Sequence, residues 1–288
     1  MNVPPPTPVV LALDFGGTKT ALTVADQHGT RLHDLVVETA PEHGARAGLE
    51  RAVDAARTLL AGREPAAVGV STIGIPGEDG VALAPNIPGW EHLALGRELA
   101  LAFPKSALRL ATDVKAAARH ELLAGALRGC DPGLYVNLGT GLAVALVAGG
   151  QVLTGRHGAS GEIGYNLRTV ADVGRAIGAR TPLETVVSGR ALTEAAAAHG
   201  STELAAHIGT FVDELAFHLV NLTIALDPER IAVGGGMVRS WTALHAPLRR
   251  ALDAAVPYPP QLTLAAHPQE APLLGALALA VEAARSGN

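Results

Sequence analysis

Leu11 to Val24 reads Leu-Ala-Leu-Asp-Phe-Gly-Gly-Thr-Lys-Thr-Ala-Leu-Thr-Val, and no other stretch narrows the folding choices as far. An apolar run enters a carboxylate, Asp14, and two glycines, Gly16 and Gly17, then leaves as a second β-type run. Consecutive glycines let the backbone bend where a side chain would clash, and they expose N–H groups that can meet an anion. Thr18 and Lys19 add a hydroxyl and a cation. The pattern predicts a strand, a tight turn suited to phosphate and a return strand.

The same organisation returns from Leu134 to Val147, with Gly139, Thr140 and Gly141 at the turn. A single glycine turn is most often hairpin geometry and nothing more. Two of them, each flanked by strands, predict two related α/β halves facing each other across a cleft. The length of 288 residues agrees with two domains of ordinary size.

Composition removes several function classes. Hydrophobic residues make up 48% of the chain, yet Gly, Pro or charge interrupts the apolar stretches before the roughly 20 residues a membrane helix needs. No membrane segment is therefore expected. The net charge of −5, from 22 basic and 27 acidic residues, comes with no dense basic run, so no nucleic-acid partner is expected. Cys130 is the only cysteine, which precludes an intramolecular disulfide or a cysteine-based zinc cluster within one chain. A reducing cytoplasm fits, and residues 1–8 read as a short flexible arm without an export signal.

Periodicity and turn residues predict strands over Arg31–Thr39, Ala66–Ile73, Leu108–Thr112 and Arg230–Val233, with another near Leu262. Helices are predicted over Gly44–Ala61, His92–Ala102, Asp113–Leu123, Gly189–Ala198, Glu203–Leu226 and Pro272–Arg285. Residues 74–80 are too rich in Gly and Pro for regular structure. Strands alternating with helices predict an α/β fold. The expected division is an N-terminal lobe of residues 1–112, completed by 272–288, and a C-terminal lobe of 113–271.

Transfer of a phosphoryl group needs a positioned hydroxyl, an acceptor for its proton, and cations or N–H groups around the phosphate oxygens. Asp113 lies where a strand gives way to a helix, a place from which a side chain can reach a cleft; a helix N-cap is the alternative. Asp14 suits a magnesium ion beside phosphate, or else a turn in which it bonds the glycine backbone. Lys19 is a phosphate ligand or a solvated strand residue. By themselves Gly234, Gly235 and Gly236 read as a turn from a strand into a helix.

Asp14-Phe-Gly-Gly-Thr-Lys, Leu138-Gly-Thr-Gly, Gly158-Ala-Ser-Gly-Glu-Ile-Gly and Val233-Gly-Gly-Gly-Met, in this order and spacing, resemble the ROK family of sugar kinases and repressors. Ala84-Pro-Asn-Ile-Pro-Gly-Trp and Leu183-Glu-Thr-Val-Val-Ser-Gly-Arg extend the resemblance to nearly the whole chain from about residue 9. It implies an actin-like, ribonuclease H-like ATPase fold whose two lobes close on ATP with Mg²⁺ and a hexose. Asp113 would be the catalytic base, and Gly234–Gly236 would lie on the adenosine side. Asn86, Glu162 and Glu184 match positions that hydrogen-bond sugar hydroxyls. The repressors carry a DNA-binding segment ahead of the first phosphate turn, and none is expected ahead of Asp14.

Two departures from the family pattern bear on substrate and metal. Tyr165 stands where most members have a histidine that touches the sugar and binds zinc, and the matching cysteine positions fall on Arg175, Ile177 and Pro182. All four ligands are missing together, so no zinc is expected, and packing should order this loop instead. Thr112 replaces the usual Asn before the catalytic Asp. The implied reaction is phosphorylation of a glucose-like hexose at O6. An N-acetylhexosamine or amino sugar is the alternative substrate, polyphosphate the alternative donor, and a catalytically silent sugar-binding protein the alternative class. Family resemblance also implies a homodimer or homotetramer.

Overall fold

A computed structural model of the chain describes residues 8–84, 87–198 and 201–286. Residues 1–7 of the expected arm and Asn86 lie outside them. The chain divides into two compact units, Met1–His120 with Glu270–Asn288, and Glu121–Gln269. The seam falls at His120–Glu121 and not ahead of Asp113, because the helix that Asp113 opens packs its first turns on the C-terminal helix. A Cβ at Gly275 of that helix would stand 1.8 Å from the Ala116 carbonyl oxygen.

In the first unit β1 (Val9–Phe15), β2 (Lys19–Asp26) and β3 (Arg31–Glu38) form an antiparallel meander. Helix α1 (Gly44–Leu60) leads to β4 (Pro65–Thr72), and a small hairpin follows, β5 (Ile75–Pro76) with β6 (Val81–Ala82). Helix α2 (Leu95–Ala102), β7 (Ala107–Thr112) and α3 (Asp113–Ala124) come next. The sheet order is β3-β2-β1-β4-β7, with β1, β4 and β7 mutually parallel. Both faces of β1 are covered, which explains its unbroken apolar run. Val9, Leu11, Leu13 and Phe15 join the core under α1, whereas Val10 and Ala12 meet the C-terminal helix α7 (Ala271–Ser286). Small residues let α7 come close: a Cβ at Gly69 would stand 1.9 Å from the Ala276 carbonyl oxygen.

The second unit repeats the plan. Strands β8 (Gly133–Leu138), β9 (Leu142–Ala148) and β10 (Gln151–Val152) form the meander, and single-turn 3-10 helices fill much of the long connection that follows. Helices α4 (Gly189–Ala198) and α5 (Ser201–Leu226) precede β11 (Arg230–Gly234), then α6 (Trp241–Ala255) and β12 (Gln261–Leu264) complete the unit. The order β10-β9-β8-β11-β12 matches that of the first sheet strand for strand. Phe211, Leu215 and Leu219 of α5 and Leu244, Leu248 and Leu252 of α6 form its core with Leu134, Val136 and Leu138.

Three sequence expectations change. The 74–80 segment carries the β5–β6 hairpin, closed by a 2.8 Å hydrogen bond from the Gly77 amide to the Gly80 carbonyl, because its glycines make a turn that pairs flanking residues. The helix expected from His92 starts at Leu95, after a separate 3-10 turn at Trp90–His92. The membrane reading also needs correction: Ala206–Leu226 is long and apolar enough, by length and composition alone, to cross a membrane. Its apolar face is the core stripe just described, and Glu214 on the same helix pairs with Arg168.

Candidate active site

In the first unit the polar residues gather at the carboxyl ends of parallel strands, where open α/β sheets bind ligands. Asp14 is the penultimate residue of β1, and its sheet neighbour Ser71 donates a 2.7 Å hydrogen bond to Oδ1. Burial pushes the Asp14 carboxyl up to about 7; Ser71 opposes this, the nearby Asp113 adds to it, and Lys19 opposes it. Asp113 is likewise pushed upward by burial, against the Val114 amide and the Lys115 charge. The structure therefore brings together the two aspartates singled out from sequence.

Thr112 and Asp113 divide the start of α3 between them. Thr112 Oγ1 accepts the Lys115 amide at 3.3 Å, three residues on, which is the N-cap geometry. Asp113 Oδ1 accepts the adjacent Val114 amide at 2.8 Å. The capping role considered for Asp113 thus belongs to Thr112. Thr112 is buried, and its hydroxyl oxygen is engaged by the helix.

The first glycine turn is held tightly on one side and open on the other. The Gly16 amide donates to the Lys19 carbonyl at 3.0 Å, Thr39 Oγ1 donates to the Gly16 carbonyl at 2.8 Å, and a Cβ at Gly16 would meet the Lys19 oxygen at 2.9 Å. A Cβ at Gly17 would meet nothing, and Thr18 and Lys19 are exposed. The turn is a braced edge with free space beside Gly17, as a phosphate-binding turn requires.

In the second unit four glycine segments and one carboxylate converge. The Gly139 amide bonds the Gly141 carbonyl at 3.1 Å, while the Gly139 carbonyl accepts the Gly189 amide at 2.8 Å, docking the first residue of α4 onto the turn. Ser188 caps that helix, its Oγ accepting the Ala191 amide at 3.1 Å. Glu184 Oε2 lies 2.9 Å from where a Cβ of Gly141 would be, and the Glu184 side chain also flanks Gly164. Thr140 is exposed.

Gly234 and Gly235 are required by close approaches. A Cβ at Gly234 would stand 2.1 Å from the Tyr135 hydroxyl, and Gly235 has φ +89° with the Leu138 carbonyl 2.4 Å from its Cβ position. Gly236 faces open space. Asn137, missed in the sequence reading, lies beside both Gly139 and Gly235.

Glu162, Tyr165 and Glu184 form one cluster. Burial pushes the Tyr165 phenol up, and the charges of Glu184 and Glu162 add to the effect. Arg190 approaches Glu184 at 4.0 Å.

The segment beyond Tyr165 corrects the expectation that packing orders it. Leu167, Val170, Val173 and Ile177 are exposed, Val170 at 89%. Polar contacts hold the segment instead. Arg168 forms a two-pronged ion pair with Glu214 of α5, with Nε to Oε2 at 2.7 Å, and Asn166 Nδ2 lies 3.2 Å from His218 Nδ1. Thr169 and Asp172 make a reciprocal capping box, and Arg175 reaches the Asp172 carboxylate and the Ala179 carbonyl. Arg180 Nη2 donates to the Tyr165 carbonyl at 3.1 Å. Arg175, at one of the expected cysteine positions, is thus a hydrogen-bonding hub.

Known proteins resemble this chain over nearly its whole length. Kanosamine kinase of Amycolatopsis mediterranei is 30% identical over 310 residues, covering 95% of this chain and 96% of its own. The ROK hexokinase of Thermus thermophilus superposes with a TM-score of 0.77 at 30% identity, over 97% of this chain and all of that one. A ROK glucokinase from Streptomyces griseus, solved with glucose and AMPPNP, gives a TM-score of 0.77 at 25% identity, covering 95% and 99%. The fold is that of the actin-like ATPases. With the ROK family profile matching residues 10–283, this chain belongs to the ROK family.

Proposed function

We propose that the protein is a cytoplasmic, ATP-dependent sugar kinase that phosphorylates a glucose-like hexose at O6, with Asp113 as general base. The observation that carries this reading is the pair of desolvated carboxylates, Asp14 and Asp113, at the ends of β1 and β7, with only β4 between the strands. A base whose proton affinity burial has raised accepts a hydroxyl proton more effectively. Asp113 takes the proton of the sugar hydroxyl. Asp14 is a hard oxygen donor in a buried setting, and such a donor fits Mg²⁺, which would favour its ionised form. When bound, magnesium supplies charge neutralisation at the transferred phosphate.

The open faces of Gly17 and Gly236, where a side chain would intrude, support the assignment of Gly16–Lys19, Gly139–Gly141 and Gly234–Gly236 to the nucleotide. The cluster of Glu162, Tyr165 and Glu184 supports a sugar site, with Thr112 and Asn86 assigned to it from the family pattern. Kinship with a kanosamine kinase, together with the changed residues Thr112 and Tyr165, favours an amino sugar as second reading. The exposed apolar residues of the 167–177 segment, with Phe217 and Ile224 on α5, support self-association as a dimer or tetramer. Light scattering on the purified chain measures that state.

A coupled ADP-release assay over glucose, mannose, N-acetylglucosamine, N-acetylmannosamine and kanosamine, with ATP and polyphosphate in parallel, tests the reading. Turnover with a hexose and ATP is the expected result. Sugar binding without turnover on any donor would instead identify a silent binding protein.

A further inference from the structure

Glu121 is fully buried two turns into α3, and its carboxylate is held by three backbone amides. Oε2 accepts from Ala126 at 2.6 Å and from Ala266 at 2.9 Å, and Oε1 accepts from His267 at 3.1 Å. Gly125 makes room for it, since a Cβ there would stand 2.2 Å from Oε2. Ala266 and His267 belong to the strap that follows β12, and the next residue, Pro268, accepts the Gly235 amide at 2.9 Å. Just before the strap, the Ala265 amide bonds the Val233 carbonyl at 2.8 Å.

From this relay we infer that Glu121 is a positioning residue for the nucleotide-side glycines. Its carboxylate fixes the strap, and the strap fixes Gly235. Gly235 is confined at this place: its φ is positive and the Leu138 carbonyl fills the space a Cβ would take. An apolar side chain at 121 would leave three amides without their acceptor, and a buried donor without a partner is unfavourable. The inference rests on the assignment of Gly234–Gly236 to the nucleotide, and it adds a residue that touches neither nucleotide nor sugar.

Glu121→Gln is the informative change, because it replaces one accepting oxygen by an amide that cannot accept. Two quantities are read on the full-length protein: affinity for AMPPNP by calorimetry, and hydrogen exchange of the Gly235 amide, with the Val9–Phe15 strand as reference. The expected result is a loss of about tenfold in AMPPNP affinity and a rise of about tenfold in Gly235 exchange, as one lost buried hydrogen bond implies, with the reference strand unchanged. Glu121→Asp, which keeps both oxygens, should fall between the variant and the wild type; should Glu121→Gln not fold, the same two measurements on Glu121→Asp decide. Unchanged affinity and exchange in a folded variant would overturn the inference while leaving the kinase reading intact. Exchange that rises equally in the reference strand would reduce Glu121 to general stability and also overturn it. Wild-type protein that fails to bind AMPPNP would remove the nucleotide assignment and the inference together.

Discussion

The Ser71 hydroxyl donates a 2.7 Å hydrogen bond to Oδ1 of Asp14, tying the end of β4 to the end of β1 across their parallel register. The bond favours the ionised carboxylate that burial disfavours, and the balance leaves Asp14 near 7. A carboxyl poised there changes both stability and ligand binding over ordinary buffer pH.

The sign of that effect can be measured. Because the folded value, about 7, lies above the ordinary 3.8, the folded chain keeps a proton that the unfolded chain releases, and stability falls as pH rises through this window. Asp14→Asn, which can still accept from Ser71, should be more stable than wild type at pH 8, with a gain that shrinks toward pH 5. Denaturant midpoints of both proteins at the two pH values check this; an equal gain at both would show that Asp14 does not titrate there.

Asp113→Asn should lower turnover by about 10² to 10⁴ while sugar binding survives, since removal of a general base spares ground-state contacts. Thr112 caps α3, so this substitution leaves the helix start in place. Steady-state kinetics beside a calorimetric sugar titration separate the two effects, and turnover retained near the wild-type value would remove Asp113 from the chemistry.

Polar contacts around Arg168, Asp172 and Arg175 order the segment after Tyr165. Metal analysis of tag-free protein should find no stoichiometric zinc, and a chelator should leave the melting temperature unchanged. Arg168→Ala should cost roughly 1–2 kcal/mol by stranding Glu214 on α5. About one tightly held zinc per chain would contradict the expectation.

Thr112 has two separable roles to test. Thr112→Val removes the cap and should cost about 0.5–2 kcal/mol. Thr112→Asn retains a capping oxygen and should shift relative kcat/KM among glucose, mannose, N-acetylglucosamine and N-acetylmannosamine. Identical ratios for all four sugars would show that Thr112 serves the helix alone.

The sequence by itself determined the doubled hairpins at Gly16–Thr18 and Gly139–Gly141, the alternation of strands and helices, and the family. These features are local: glycine turn chemistry and the periods of strand and helix are written in neighbouring residues. The pairing of Asp14 with Ser71 was not legible, because residues 57 apart meet only through the β1–β4 register. Thr112 as the cap of α3, Arg168 with Glu214, and the relay from Glu121 through Pro268 to Gly235 depend on side-chain and backbone contacts that tertiary packing brings into reach. α5 shows the same division: its composition alone resembles a membrane span, and only packing assigns Phe211, Leu215 and Leu219 to a protein core. Hydrophobic pattern specifies which element forms, while burial and hydrogen-bond satisfaction, settled over long sequence separations, decide what each polar group does.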